Sequence, residues 1–476
     1  MSTTISRRSA MGTMLGVAAS LGLAGCSLRA APPPAAATAP AGVPAAANAA
    51  PTTASAAPTT APVAAAAGTT PVAAAPGQTV IRFHCRSGDL ARHFEAYAPK
   101  FTQQNPKAAV QMEELVATNE YWVKLSALAA SKTIGDVVVD ISRFFPGMAY
   151  KGLYRDVESY VNSEKFDLGQ YYPAAVDNTK FDGKEYGLPE TYQFQSVMIY
   201  YNKSLFDAAG VAYPNTLTAT YDEIVEKAQK LTKPSDGQFG YAGASGAHHI
   251  HIRSFGGDVL DAERKKSRLG EPEAIKATQW IWDLLYKYKV HPTADQITNG
   301  SDTNMFAGGK VAMLQQTLWT GTFLIPLVGG KFQYGAALIP KGPTGVMGNH
   351  SQSDLLAPTA LSKAPEIAWE VVKFMTGKDI GIQKVYLNGG GPGARPDVQS
   401  DPGLQQKMIG LKEFQAALAE GRKAFPEPKP WNVRDQEIND AWGQNMDPVW
   451  LNKVPVPDGM KKVDSEAQKV LDKPRP

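Results

Sequence analysis

The chain has few cysteines, little net charge and no long apolar segment, and each shortage excludes a class of protein. It contains two cysteines in 476 residues, Cys26 and Cys85, and its formal net charge is +3. A charge so near zero gives no argument for binding nucleic acid or an anionic surface. The uncharged run over residues 10–25 is shorter than the roughly 20 residues that span a membrane. No other membrane-spanning segment is predicted.

The motifs of common exported enzymes and metal sites are also missing. The sequence has no G-x-S-x-G nucleophile motif, no H-E-x-x-H motif and no closely spaced cysteine pair. Cys85 lies in an apolar run and is predicted to be a small buried residue. His248, His249 and His251 would need further ligands to bind a metal. We therefore predict no enzyme activity, no metal and no cofactor, although a carboxylate pair of an exported hydrolase stays possible.

The first 25 residues are predicted to be an export signal. A basic start with Arg7 and Arg8 precedes the apolar run, which is the pattern of a secretory signal. The arginine pair leaves both the general and the twin-arginine export routes open. Leu23-Ala24-Gly25-Cys26 resembles the lipobox of bacterial lipoproteins. That resemblance implies lipidation of Cys26 and anchoring to the outer side of a membrane, because several acyl chains hold a protein stably.

Residues 26–78 are predicted to be the lipidated cysteine and a tether. From Leu28 to Gly77 the chain is almost wholly Ala, Pro, Thr, Gly and Ser. Such a composition buries too little apolar surface to offset the entropy of the chain. The segment therefore reads as a flexible, partly extended linker.

The remaining chain begins with an alternation of strands and helices. Thr79 to Cys85, Val110 to Leu115 and the run 136–141 have the composition of strands. Leu90, Phe94, Tyr97 and Phe101 recur at helical spacing between the first two. This β-α-β-α-β order predicts an α/β domain whose strand ends face a cleft.

Five local patterns then follow one another in an order that is typical of one family. They are Asp136-Val137-Val138-Val139-Asp140 with Phe144, Phe145 and Gly152-Leu153; Gly187-Leu188-Pro189 with 199–206 and Ala209-Gly210; Met305–Met313 with Trp319; Tyr334-Gly335-Ala336 through Leu338-Ile339-Pro340 with Ala368-Trp369 and Lys373-Phe374-Met375; and Gly389–Arg395. Together they resemble the family 1 extracellular solute-binding proteins, which include maltose-binding members.

The resemblance implies an α/β, two-lobed, periplasmic-binding-protein-like fold with hinge strands and a central ligand cleft. The first lobe would comprise residues 79–190 plus 336–378, and the second 191–335 plus 379–476. The chain would be a monomer that captures a small solute, most simply a sugar, and delivers it to the membrane subunits of an ABC importer. A non-sugar solute of the same fold, whether anionic, a polyamine or a metal chelate, is the alternative.

A sugar site needs aromatic rings for its apolar faces and polar side chains for its hydroxyls. In this family such residues come from loops at strand ends on both lobes, and the expected ligand contacts are Trp319, Trp431, Phe144, Tyr192, Gln195, Arg86, Ser87, Asp140, Arg143 and Arg395. His248 is a further candidate from the second lobe that departs from a plain sugar site, and packing or surface exposure is its alternative. Core packing is the alternative for the aromatic residues, and surface salt bridges are the alternative for the arginines.

Overall fold

The computed structural model describes residues 75–86, 94–115, 120–192, 197–298, 300–348, 352–382, 393–420 and 432–474. The predicted signal, Cys26 and nearly all of the tether lie outside these ranges. So do three predicted ligand contacts, which are Ser87, Gln195 and Trp431.

The first lobe is built on a five-stranded sheet of order β2-β1-β3-β11-β6. Its strands are β1 (Thr79–Cys85), β2 (Ala108–Glu114), β3 (Val137–Ile141), β6 (Leu188–Pro189) and β11 (Asp354–Pro358), and β4 (Lys180–Phe181) pairs separately with β5 (Lys184–Glu185). β1 runs parallel to both β2 and β3, whereas β11 is antiparallel to β3 and β6. The valines of β3 are buried, as a parallel strand covered on both faces requires. The predicted β-α-β-α-β order is confirmed.

Helices cover both faces of this sheet. They are α1 (Ala98–Gln104), α2 (Glu120–Ala130), α3 (Phe145–Tyr150), α4 (Glu158–Glu164), α5 (Pro173–Asp177) and, much later in the chain, α12 (Pro365–Met375). α12 begins at a proline. Proline suits the first turn of a helix, because an N–H group there would have no acceptor within the helix and its absence costs nothing. Its buried face includes Trp369 and Val372, which pack in the same core cluster as Phe83 and Phe94.

The second lobe is built on a four-stranded sheet of order β10-β7-β9-β8. Its strands are β7 (Val197–Asn202), β8 (Phe239–Ala242), β9 (Val311–Thr317) and β10 (Tyr334–Leu338). β10 pairs antiparallel with β7 along its whole length, from Tyr334 opposite Asn202 to Leu338 opposite Met198. The crossover back to the first lobe therefore lies after residue 338, later than the predicted boundary at 336. The sequence pattern indicated a strand here but not the sheet that it joins.

The remaining helices follow β7 in the chain, and most of them complete this lobe. They are α6 (Lys203–Ala209), α7 (Tyr221–Leu231), α8 (His248–Ser254), α9 (Pro272–Tyr286), α10 (Asp302–Ala307), α11 (Thr320–Val328), α13 (Pro396–Gln399), α14 (Pro402–Lys407), α15 (Leu411–Glu420), α16 (Asp435–Trp450) and α17 (Val456–Leu471). α7 starts at a capping residue, Thr220, whose hydroxyl accepts a hydrogen bond from the Glu223 amide at 3.2 Å.

The C-terminal part of the chain does not belong wholly to the second lobe. α16 and α17 pack with α8 and α9 around Ile252, Trp442 and Met460. By contrast, Ala394 accepts a hydrogen bond from the Tyr172 amide and donates one to the Glu190 carbonyl, at 3.0 and 3.1 Å. The segment around α13 is thus attached to the first lobe, although the sequence assigned it to the second. In the part of the chain that the structure describes, no helix is both long and apolar enough to cross a membrane.

Candidate ligand-binding cleft

A cavity of about 280 Å³ lies between the two lobes. It opens where β3, β8 and β9 end, which is the edge at which α/β sheets bind ligands. The first lobe contributes Ile141, Arg143 and Gln352, and the second contributes Gly243, Gly246, Ala247, His248, His249, Arg253, Val259, Arg264, Leu269, Gln315, Gln316, Thr317, Asp435, Ile438, Asn439 and Trp442. Residues of both lobes therefore meet any molecule that occupies the cavity.

Gln315 is a buried polar residue in the cavity lining and is held by a network of side chains. Its Oε1 accepts a hydrogen bond from the Tyr241 hydroxyl, and its Nε2 lies 2.9 Å from Nε2 of His251. Since the amide nitrogen can only donate, His251 accepts at Nε2 and carries its proton on Nδ1, which lies 2.8 Å from the Tyr221 hydroxyl. Burial lowers the pKa of His251 to about 3, so the ring is neutral. The orientation of the Gln315 amide is fixed before any ligand arrives.

His248 and Trp442 both line the cavity and stack on each other. Their rings stack with centroids 3.6 Å apart and an angle of 9° between their planes. Burial, followed by the charge of Arg143, lowers the pKa of His248 to about 3. The stack is thus a neutral aromatic surface of the kind that packs against apolar faces of ligands.

Among the described residues, three arginines share the cavity lining with a single carboxylate, Asp435. Nη2 of Arg264 lies 3.8 Å from Oδ1 of Asp435, and Nε of Arg253 lies 2.9 Å from Oδ1 of Asp258. Burial raises the pKa of Asp435 to about 6, and the charges of Arg264, Arg143 and Arg253 oppose this rise. The cavity lining therefore has more positive than negative groups.

A second cavity, of about 480 Å³, shares Arg143 with the first. Phe144 lines it and stacks on Trp122, with ring centroids 3.8 Å apart and an interplanar angle of 27°. The guanidinium carbon of Arg143 lies 5.3 Å from the centre of the Phe144 ring, within cation–π range. The start of α16, including Asp440, lines this cavity too, so it also receives residues from both lobes.

The structure brings two predicted contacts, Arg143 and His248, to the first cavity and places Phe144 in the second. Asp140 does not line the cavity, contrary to the prediction, because it is buried inside the first lobe. Its carboxylate accepts hydrogen bonds from Trp122 Nε1 at 2.5 Å, from the Ile141 amide at 2.7 Å and from the Tyr154 hydroxyl. Burial raises its pKa to about 6. These donors occupy the carboxylate, which anchors the loop after β3 rather than lining the cleft.

Arg86 and Arg395 are also placed away from the cavity lining, each with an acidic partner. Nη2 of Arg86 lies 3.6 Å from Oδ2 of Asp354, and its guanidinium lies over the Trp122 ring. Arg395 donates to both carboxylate oxygens of Asp397 at 3.0 Å. Both arginines thus form salt bridges, which was the alternative to contact with the ligand.

Tyr192 and Trp319 do not line the cavity either. Tyr192 is buried and packs against Tyr172, with ring centroids 5.2 Å apart. Trp319 is partly buried against the main core cluster and lies parallel to Phe323, with centroids 6.4 Å apart. Packing therefore accounts for the surroundings of both rings.

The sequence predictions missed Trp442, Gln315, Arg264 and Asp435. For two of them a signal was present, because Asp435, Ile438, Asn439 and Trp442 recur at helical spacing and so share one face of α16. That spacing also fits a buried core face, and only the position of α16 beside the cleft tells the two apart.

A family model of bacterial extracellular solute-binding proteins matches residues 96–409, more than half of the chain. The chain belongs to this family. Its members bind small molecules and serve ABC transporters outside the cytoplasm, and they are not enzymes, as the sequence predicts.

Relatives of this solute-binding protein cover nearly all of its folded part. A binding protein of Brucella abortus (strain 2308) is 26% identical over 405 residues, which are 83% of this chain and 93% of the relative. An ABC substrate-binding protein of Listeria monocytogenes, solved in complex with cycloalternan, has a TM-score of 0.73 at 21% identity, covering 82% of this chain and 98% of that one. A Mycobacterium tuberculosis protein solved with glycerophosphocholine has a TM-score of 0.70 at 18% identity, covering 83% and 99%. These likenesses establish the two-lobed fold.

Proposed function

We propose that this solute-binding protein captures a carbohydrate or polyol in the interlobe cavity and presents it to an ABC importer while anchored through lipid on Cys26. The observation that carries the carbohydrate assignment is the composition of the cavity. A neutral stack of His248 and Trp442 shares it with the amide side chains of Gln315, Gln316 and Asn439. Stacked rings suit the apolar faces of a sugar, and amides can both donate to and accept from its hydroxyls.

The size of the cavity favours a small solute. Its volume of about 280 Å³ is near the lower end of the usual range for small-molecule sites, roughly 300–1,000 Å³. A solute of one or two sugar rings is therefore a better match than a long oligosaccharide. The cavity of about 480 Å³ that shares Arg143 would accommodate an extension of the same ligand.

Capture follows from the division of the cavity between two lobes. A ligand that contacts Arg143 and Gln352 on one side and the second lobe on the other binds the closed arrangement best. Binding then shifts the population toward closure by the difference in affinity between the open and closed states. The few backbone torsions at the crossovers absorb the movement.

The chemistry of the cleft argues against a polyamine as the ligand. A polyamine needs several carboxylates, whereas the described residues of this cavity include one, Asp435, beside three arginines. An anionic solute, in contrast, suits the arginines.

A thermal-shift screen of the full-length protein tests the carbohydrate assignment. The panel contains monosaccharides, disaccharides, polyols, amino acids and polyamines. We expect a carbohydrate or polyol to raise the melting temperature with the logarithm of its concentration, since it binds only the folded state. The compound should be recovered unchanged. A response confined to amino acids or polyamines, or consumption of the compound, would contradict the proposal.

A further inference from the structure

We propose that the solute carries one anionic group, a carboxylate or a phosphate, which is held between Arg143 of the first lobe and Arg264 of the second. This inference rests on the proposed function, because it names the kind of carbohydrate or polyol that the cleft takes.

The acidic groups beside the cavity are shared among its arginines rather than paired one to one. Asp258 pairs with Arg253 at 2.9 Å, and Asp435 is the one carboxylate of the cavity lining among the described residues. Arg143, Arg253 and Arg264 all act on Asp435 electrostatically, and Asp440 acts on Arg143 as well. Three cations thus share these carboxylates in a region of low dielectric, where the charge of an anionic ligand adds a strong attraction.

Arg143 has no close acidic partner in the part of the chain that the structure describes. Its guanidinium packs over the Phe144 ring, and Asp435 and Asp440 act on it only through space. A guanidinium is a planar fork of donors that matches a carboxylate or phosphate group. Arg143 thus presents to both cavities a donor set suited to an anion.

Arg264 supplies the complementary donors on the opposite lobe. Its distance of 3.8 Å from Asp435 is too long for a hydrogen bond. Two of its nitrogens, Nε and Nη1, are buried without a hydrogen-bond partner among the described residues. Buried donors that stay unpaired cost free energy, so the guanidinium of Arg264 gains from a small shift toward an anion that enters the cavity.

The two arginines belong to different lobes, and this gives the anion a role in closure. An anionic group that contacts both of them does so only when the lobes are together. Its charge would therefore select the closed state. A neutral sugar would contact the aromatic rings and the amides but would leave the two guanidinium groups without a charged acceptor.

Inorganic phosphate is the first probe, because it tests the charge site without knowledge of the solute. The melting temperature of the full-length protein is measured in sodium phosphate and in sodium chloride at equal ionic strength and neutral pH. We expect phosphate to raise it by a few degrees beyond chloride in the native protein. Arg143→Gln and Arg264→Gln should each abolish that difference, whereas Arg143→Lys should retain part of it.

Two further variants separate a specific site from a general salt effect. Arg268→Gln removes a surface arginine that pairs with Glu271 at 2.6 Å and should keep the full phosphate response. Asp435→Asn removes the competing carboxylate and should enlarge the response. An equal response in the native protein, Arg143→Gln and Arg268→Gln would overturn the anion site. So would the absence of any response.

Matched sugars then identify the charged group and keep the two proposals distinguishable. Glucose, glucuronate and glucose 6-phosphate are titrated by calorimetry into the native protein and into Arg143→Gln. We expect an acid or a phosphate to bind at least about tenfold more tightly than the neutral sugar, and the advantage to vanish in the variant. Tighter binding of glucose than of both anions would overturn this inference and leave the carbohydrate proposal intact. A phosphate response with no binding of any sugar would contradict the carbohydrate proposal and leave the anion site intact.

Discussion

Trp442 is the residue whose contribution to affinity is easiest to isolate, because one face of its ring is taken by His248 while it also lines the cavity. We expect Trp442→Ala to weaken binding of the solute by about 1–3 kcal/mol, which is about fivefold to 150-fold in Kd. Trp442→Phe should restore most of the loss. Isothermal titration calorimetry measures both.

Trp282→Ala is the matched control for that loss. Trp282 lies on α9, packs against Tyr286 with ring centroids 5.0 Å apart and does not line the cavity. It should change stability but not Kd. Comparable losses of affinity in the two alanine variants would place the effect of Trp442 in folding rather than in ligand contact.

His251 makes a prediction about stability and pH. The buried ring has a folded-state pKa of about 3 against an ordinary value of 6.5, so its contribution to stability is complete above pH 6.5 and is lost as the pH falls toward 3. We expect the melting temperature of the native protein to fall more steeply than that of His251→Gln between about pH 7 and about pH 4.5. Buried carboxylates such as Asp140 titrate in both proteins and cancel in the comparison. A gap between the two proteins that does not change with pH would show that His251 is not held neutral.

At the scale of elements, the turn from β8 into α8 fixes the position of the cavity floor. Gly243 has a φ of +89°, and a Cβ there would lie 2.1 Å from the carbonyl oxygen of Gln315. Gly243→Ala should therefore lower the free energy of unfolding by about 3 kcal/mol and weaken solute binding, because β9 has to shift. Chemical denaturation and calorimetry measure the two effects.

Gly237→Ala separates backbone strain from that clash. Gly237 also has a positive φ, +61°, but a Cβ there meets open space. Gly237→Ala should lower the free energy of unfolding by about 1 kcal/mol and leave the affinity unchanged. Equal losses at the two glycines would mean that the approach to Gln315 is not what requires glycine at 243.

At the same scale, local patterns predicted the elements better than their partners. Three local features can be recognised in the sequence because each depends on neighbouring residues: the valine run of β3, the cap at Thr220 and the proline at the start of α12. The pairing of β10 with β7 cannot be recognised in this way. A short apolar strand satisfies its hydrogen bonds equally well in either sheet, and long-range packing makes the choice.

For the whole molecule, the proposed anchor separates location from binding. We expect the native full-length protein, produced in a bacterial host, to fractionate with membranes and to enter the detergent phase. Cys26→Ser should move it to the soluble fraction without changing its affinity, because the cleft is formed by residues far along the chain. Ser27→Ala, which keeps the cysteine, is the control. Unchanged membrane association of Cys26→Ser would contradict lipid anchoring.

The period of the apolar residues was enough to predict the α/β class. The two-lobed fold and a binding protein rather than an enzyme were implied by the resemblance of the ordered local patterns to a family. The sequence also named Arg143, His248 and Phe144, which lie in loops or helix starts that follow strands. The tertiary structure decided which polar groups are free to meet a solute. Asp140, Arg86 and Arg395 are occupied by partners, whereas Trp442, Gln315 and Arg264 reach the cavity only because α16, β9 and the loop after α8 converge there.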